Sequence, residues 1–232
     1  MESIDKVPGT FEKRVGEVKE TVPTAVIKRL PRYHRCLGEL LREGRMRMSS
    51  KELAEIMEVT ASQIRQDLNC FGGFGQQGYG YNVKYLHQKI SELLGVTEGY
   101  RAVIVGAGNL GRALAATHMF ERRGVERLAL FDTNPSLVGT EIYGLPVFHV
   151  NTLGDFCREK GVHIGVLTVP KEAAESVAIT MAEAGVVGFW NFANMELKLD
   201  YPGIIVENIH LGDSLMTLCY EIKNLGGKEN ND

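Results

Sequence analysis

The sequence predicts an α/β protein in three parts: a small helical domain bearing a hairpin, a parallel α/β domain, and a terminal helix with a bare apolar stripe. Three observations carry this expectation. Up to about residue 70 the apolar residues recur at helical spacing in short runs, and five glycines set among aromatics follow between residues 72 and 80. Beyond residue 100, short continuous apolar runs alternate with helical ones. The chain then closes on Leu211, Leu215, Leu218, Ile222 and Leu225, at steps of four and three.

Composition narrows the class. With 44% hydrophobic and 24% charged residues the 232-residue chain can build a packed core, which excludes a mainly disordered protein. No apolar run approaches the roughly 18–20 residues that span a bilayer, and residues 1–6 lack the basic-then-apolar layout of a secretory signal. Cysteines at 36, 70, 157 and 219 make neither a metal-ligand spacing nor a disulfide framework, so reduced thiols and a cytoplasmic protein are expected. Charge is unevenly spread. Residues 1–90 carry 15 Lys/Arg against 11 Asp/Glu, and the remainder 11 against 18. A polyanion would be met by the first part and repelled by the second.

The elements follow in order. Residues 1–21 alternate charges without an apolar face and read as a flexible arm. Val22-Pro23-Thr24 starts a helix carrying Leu30, Tyr33, Leu37 and Leu40, with Pro31 breaking or kinking it and Gly44 ending it. Ser49-Ser50 cap a second helix bearing Leu53, Ala54, Ile56 and Met57; Thr60 caps a third, reaching about Asn69, with Ile64 and Leu68 inward. The short link Glu58-Val59-Thr60 makes the pair a helix-turn-helix. A glycine-rich hairpin after Phe71 and a closing helix over 83–94 complete a winged-helix, DNA-binding domain at 22–94.

In the second domain, 95–209, strands are expected at 102–105, 128–131, 146–148, 164–168, 188–191 and 204–206, with helices at 109–123, 153–160 and 171–184. That alternation reads as a Rossmann-like parallel α/β sheet. The last helix, 210–226, either packs on its own domain or docks on a second copy; the second reading predicts a homodimer and a palindromic operator.

Gly106-Ala107-Gly108-Asn109-Leu110-Gly111 matches G-x-G-x-x-G, follows a predicted strand and opens a predicted helix. Gly106 permits the tight turn, Gly108 lets backbone approach a pyrophosphate, and Gly111 lets helix and strand pack closely. Asp132, 21 residues beyond Gly111, would accept hydrogen bonds from the ribose hydroxyls and repel a 2′-phosphate, favouring NAD+/NADH. Thr168, Val169 and Pro170 with Asn191 and Phe192 suit the nicotinamide pocket at the carboxyl edge of the sheet. No histidine of the second domain sits in a recognisable catalytic setting, so binding without turnover is expected and no catalytic or metal residue is assigned.

On the third helix Ser62, Gln63, Arg65, Gln66 and Asn69 face away from Ile64 and Leu68, and their side chains suit base edges in the major groove. Arg29, Arg32, Arg45 and Arg47 suit phosphates. Ser49 and the hairpin residues Gln76, Gln77 and Tyr79 complete the expected DNA surface.

These segments together resemble the Rex family of redox-sensing transcriptional repressors. The resemblance rests on Arg29-Leu30-Pro31-Arg32-Tyr33-His34-Arg35, Gln63-Ile64-Arg65-Gln66-Asp67-Leu68, Phe71-Gly72-Gly73-Phe74-Gly75, the glycine motif, Phe131-Asp132, Thr168-Val169-Pro170 and Asn191-Phe192-Ala193. It implies a homodimer with exchanged C-terminal helices, bound to operator DNA as a repressor and released by NADH but not by NAD+. This chain departs from the family pattern at Gln66, Gln76 and Gln77, where basic residues are usual, at Thr117, near a usual tyrosine, and at His210, near a usual aspartate. Two other readings stand beside it: an NAD-dependent oxidoreductase with an appended DNA module, and a regulator that answers to ADP or CoA.

Overall fold

The computed structural model describes residues 22–71, 75–76 and 80–225. The expected arm at 1–21, Gln77, Tyr79 and residue 226 lie outside the described residues, and Gln76 is described in its backbone alone. The chain divides into two compact units, Met1–Gly95 and Val96–Asp232.

The first unit runs α1 (Thr24–Arg42), β1 (Arg47–Met48), α2 (Ser50–Met57), α3 (Ala61–Asn69), β2 (Gly75–Gln76), β3 (Gly80–Asn82) and α4 (Val83–Leu93). Tyr33 and Leu37 of α1, Leu53 and Met57 of α2, Ile64 and Leu68 of α3, and Leu86 and Ile90 of α4 form one buried core. Helix α2 begins with a reciprocal cap: the Ser49 hydroxyl accepts from the Glu52 N–H, and the Glu52 carboxylate accepts from the Ser49 N–H. Thr60 caps α3 through the Gln63 N–H.

Two expectations need correcting here. Pro31 does not break α1, which is continuous through it. Pro31 and Ile27 are both exposed, so water can meet the carbonyl that the ring leaves without its helical donor. The wing has a third strand, because β1 pairs with β3 in the order β1-β3-β2. Two residues are too few to show a strand period.

The turn between α2 and α3 places Glu58 at φ 52°, a left-handed conformation that costs a side-chain-bearing residue about 1 kcal/mol. In Glu58→Gly relief of that cost is offset by roughly 0.4–1 kcal/mol of added unfolded-chain entropy, so stability in urea unfolding should hold or rise by up to about 0.5 kcal/mol; a fall of about 0.5 kcal/mol or more would show that the turn carries no strain.

The second unit runs β4 (Tyr100–Val105), α5 (Asn109–Ala115), β5 (Val125–Asp132), β6 (Glu141–Ile142), β7 (Leu145–His149), α6 (Leu153–Lys160), β8 (Ile164–Leu167), α7 (Lys171–Glu183), β9 (Gly188–Asn191), β10 (Ile205–Asn208) and α8 (Leu211–Leu225). The sheet order is β10-β9-β8-β4-β5-β7-β6. Every pair is parallel except β6 with β7, so the sheet is Rossmann-like but mixed at one edge. Strand β4 is buried on both faces. Val103 and Val105 join the core formed with α6 and α7, while Ile104 joins the core beside α5.

The helix expected over 109–123 stops at Ala115. Its last carbonyls find side-chain donors instead of further helix: Arg127 donates to the Ala115 carbonyl and the Thr117 hydroxyl to that of Leu114. A 3-10 turn at Glu121–Arg123 then leads into Gly124 at φ 69°. There a Cβ would lie 1.7 Å from the Val96 carbonyl oxygen. Helix α8 has no buried residue, and Leu211, Leu215, Leu218, Ile222 and Leu225 are 52–70% exposed, so the stripe does not pack on its own unit.

Candidate nucleotide site and DNA-facing helix

The glycine loop is held by backbone geometry. Strand β4 ends at Val105, and Gly106 turns the chain at φ 100° while its N–H donates to the Phe131 carbonyl. A Cβ at Gly106 would lie 2.6 Å from the Thr168 carbonyl oxygen, and one at Gly111 only 1.9 Å from the Gly106 carbonyl oxygen. Both positions exclude a side chain. At Gly108, by contrast, a Cβ would meet nothing within 4 Å, so this glycine borders open space. The Thr168 hydroxyl lies 2.8 Å from the Gly106 carbonyl and 3.0 Å from that of Val105, sharing its proton between them and pinning loop to strand.

Asp132 closes β5 beside the loop. One carboxylate oxygen accepts the Ala107 N–H at 2.6 Å and the other the Asn134 N–H at 2.8 Å, so the carboxylate is held in place between the glycine loop and the end of β5. A cavity of about 1030 Å³ opens here. Gly106, Gly108, Asp132, Thr168, Val169 and Pro170 line it; Ala107, Asn109, Leu110 and Gly111 form the loop without lining it. The Asn109 and Leu110 N–H groups, in the first turn of α5, have no helical acceptor and suit phosphate oxygens. The residues fit a dinucleotide: two glycines too tight for a Cβ, one open to a ligand, and an acid at the end of the second strand.

Asn191 and Phe192, expected beside the nicotinamide, stand apart from this wall. Neither lines the cavity. Asn191 is wholly buried, its amide donating to the Met195 carbonyl and to Asn208 and its oxygen accepting the Ala193 N–H. It is a structural knot, and Phe192 packs edge-on against Trp190. The wall also includes Val150, Asn151 and Leu153 after β7, and Ala173, Val177 and Thr180 of α7, none of which the motif indicates. Their signal was positional, since β7 and β8 end at the same edge as β4 and β5.

In the first unit α3 presents Ser62, Arg65, Gln66 and Asn69 to solvent; Gln63 is half-buried. Arg65 leans on the Ser50 hydroxyl at 3.2 Å. The Arg29 guanidinium grips the buried Asp67 with two bonds of 2.6 and 2.7 Å, while a third of the side chain stays exposed. Tyr33 and Gln63 donate to the same carboxylate. Burial opposes ionisation of Asp67, but the bonds from Arg29, Gln63 and Tyr33 outweigh it and hold the carboxyl below its ordinary range. The same burial and the bond to Asp67 push the Tyr33 phenol up. Arg45 pairs with Glu52 while 40% exposed, and the Ser49 oxygen accepts in the α2 cap, which leaves its O–H to donate elsewhere. Arg32 and Arg47 are exposed. The sequence did signal Asp67: positions 64, 67 and 68 share one helical face, so this acid had to lie inward beside Ile64 and Leu68.

The first unit's segment 21–69 matches the family model described as putative DNA-binding protein N-terminus, and 97–195 matches that of a CoA binding domain. A redox-sensing transcriptional repressor Rex of Clostridium tetani is 50% identical over 202 residues, covering 87% of this chain and 95% of the relative. The chain belongs to the Rex family. A second Rex repressor, from Clostridioides difficile, is also 50% identical, over 88% of this chain and 97% of its own length. Among solved structures, RSP in complex with beta-NAD+ and operator DNA matches with a TM-score of 0.83 and 47% identity, covering 91% of this chain and 98% of that one. RSP in complex with beta-NADH matches equally well in shape, at 43% identity over 91% of this chain. The Rex fold thus accounts for both units. Within it, Thr117 lies two residues past the end of α5 with its hydroxyl on the Leu114 carbonyl, and His210 lies 3.0 Å from Glu196 at the root of α8. No helix among the described residues is long and apolar enough to cross a membrane, and none of their His, Cys, Asp and Glu groups is arranged to hold a metal ion.

Proposed function

We propose that this Rex-family chain is a DNA-binding transcriptional repressor that senses the NADH/NAD+ ratio, with NADH promoting release from its operator. The observation that carries the reading is the match over 91% of the chain to RSP, solved both with NAD+ and operator DNA and with NADH. The glycine cradle and Asp132 in the second unit, and the exposed face of α3 in the first, supply matching chemistry. NAD+/NADH is the cofactor: bound, it supplies a nicotinamide whose redox state is read rather than used. Gly106–Gly111 hold the pyrophosphate, Asp132 the ribose, and Thr168, Val169 and Pro170 the wall beside them. Ser62, Arg65, Gln66 and Asn69 read the major groove, with Arg32 and Arg47 on phosphates. The bare stripe of α8 docks on a second copy, giving a homodimer on a palindromic operator. The protein is cytoplasmic and not an enzyme.

Each nucleotide state favours a different arrangement of the paired copies, and only its differential affinity for those arrangements moves DNA occupancy, by tenfold per about 1.4 kcal/mol. The deciding experiment titrates operator binding against NADH and NAD+ separately. Release by NADH alone supports the reading, whereas identical retention with both sinks it.

Two substitutions separate the sites. Asp132→Ala removes a charged acceptor worth about 1.5–3 kcal/mol, so NADH affinity measured by calorimetry should fall roughly 10–100-fold while apo operator binding is preserved. Arg65→Ala should weaken operator binding by about 5–100-fold in gel shift and leave the NADH titration unaltered; unchanged DNA affinity removes Arg65 from the interface. The match of 97–195 to a CoA binding domain favours one further reading, an ADP or CoA effector. CoA displacing NADH at comparable concentration in calorimetry would select it.

A further inference from the structure

A chain of side-chain hydrogen bonds connects the nucleotide edge of the sheet to the root of α8. It begins at Asn191, the last residue of β9, in register with Leu167 just before the cavity residue Thr168. The Phe192 N–H donates to the Leu167 carbonyl at 2.9 Å, fastening the loop after β9 to the end of β8, one residue before the cavity. The Asn191 amide donates to Asn208 at 2.8 Å. Asn208, ending β10, donates to one oxygen of Glu196 at 3.0 Å, and the other oxygen of Glu196 meets His210 at 3.0 Å. The Ile209 N–H donates to the Asn191 carbonyl at 2.8 Å, and His210 immediately precedes α8.

Helix α8 itself is exposed along its described length. Its attitude to the sheet therefore depends on the few residues at its root, and Glu196 is the side chain that binds the strand end and the helix root at once. The carboxylate is 61% exposed, so nothing in the core requires it. We propose that Glu196, through His210, is a positioning residue that passes the state of the nucleotide edge to α8 and so to the paired copies; the proposal rests on the repressor reading above. Coupling of this kind is typically a 5–150-fold effect on the linked affinity. It requires a contact that both sites bias, not mere proximity.

The test uses the full chain, a promoter fragment that the parent retains, and NADH as the probe. Glu196→Ala should leave NADH affinity within about twofold and the mass in solution unchanged, yet raise the NADH concentration needed for release at least about tenfold. His210→Ala should do the same, and the double variant should be no worse than either, because the two act as one contact. Release of Glu196→Ala at the parent's NADH concentration overturns the proposal. So does a variant whose NADH affinity or mass falls along with its response, since that is a purely structural role. A parent that never releases DNA overturns the repressor reading itself, and this is read before any variant is made.

Discussion

Gly111→Ala should abolish nucleotide binding, whereas Gly108→Ala should weaken it without disturbing the fold. The two glycines stand three residues apart in one loop and meet opposite surroundings. A Cβ at Gly111 would sit 1.9 Å from the Gly106 carbonyl oxygen, a backbone atom, and 2.8 Å from the Thr168 hydroxyl, a side chain that is itself tied to the Val105 and Gly106 carbonyls. Helix α5 must then move away from the loop. That displaces its free N–H groups from the phosphates and costs about 1–3 kcal/mol of stability from overpacking. Losing two hydrogen bonds to a charged group, at about 1.5–3 kcal/mol each, reduces NADH affinity by more than roughly 100-fold. At Gly108 the backbone lies at φ −72° and the added methyl meets no protein atom within 4 Å, so the melting temperature should hold. The methyl projects where a pyrophosphate approaches, and affinity should drop about tenfold or more. Calorimetry with NADH and a thermal melt separate the two outcomes. Parent-like NADH affinity in Gly108→Ala would move the phosphates off this loop.

Asp67→Asn should destabilise the first unit by about 3 kcal/mol and remove operator binding with it. Asp67 is 1% exposed, and Arg29, Tyr33 and Gln63 all donate to it. The amide leaves the guanidinium without its counter-charge, a loss of about 3–5 kcal/mol when both partners are buried. The lower end applies because Arg29 is one-third exposed and partly screened by solvent. The pH dependence identifies the cause. The folded carboxyl titrates below its ordinary value of 3.8, so its contribution is complete above that pH and disappears as pH falls through the folded value. The gap between parent and variant in urea unfolding should therefore stay constant from pH 7 to about 5 and close only below 3.8. Burial lowers the His87 imidazole, so stability is also lost as pH falls below 6.5, but equally in both proteins. A gap that closes near pH 6 would assign the effect to histidine instead. Glu58→Gly, on the turn before α3, is the small counterpart, since it relieves backbone strain without touching this ion pair.

Much of the architecture was legible in the residues because the relevant forces are local. Capping residues, helical spacing and the glycine-rich loop fix the starts of α2 and α3 and the turn into α5. The doubly buried run at β4 announces an interior strand. Legibility failed where distant partners decide. Helix α5 stops at Ala115 because Arg127, from the next strand, supplies the carbonyl's donor. Strands β1 and β6 are two residues long and exist through their neighbours β3 and β7. The same division runs through the functional residues. The spacing of glycines and an acid specifies a phosphate cradle, because that chemistry needs particular residues at fixed offsets along one strand-turn-helix. Which cations are available to DNA and which amides are available to a cofactor is different. Arg29 is tied to Asp67 and Asn191 to Asn208, partners 38 and 17 residues away. By itself the sequence determined two binding chemistries and an unsatisfied apolar helix. Only the tertiary structure decided which polar groups those chemistries can use, because a buried polar side chain takes whatever partner folding brings to it, however far along the chain that partner lies.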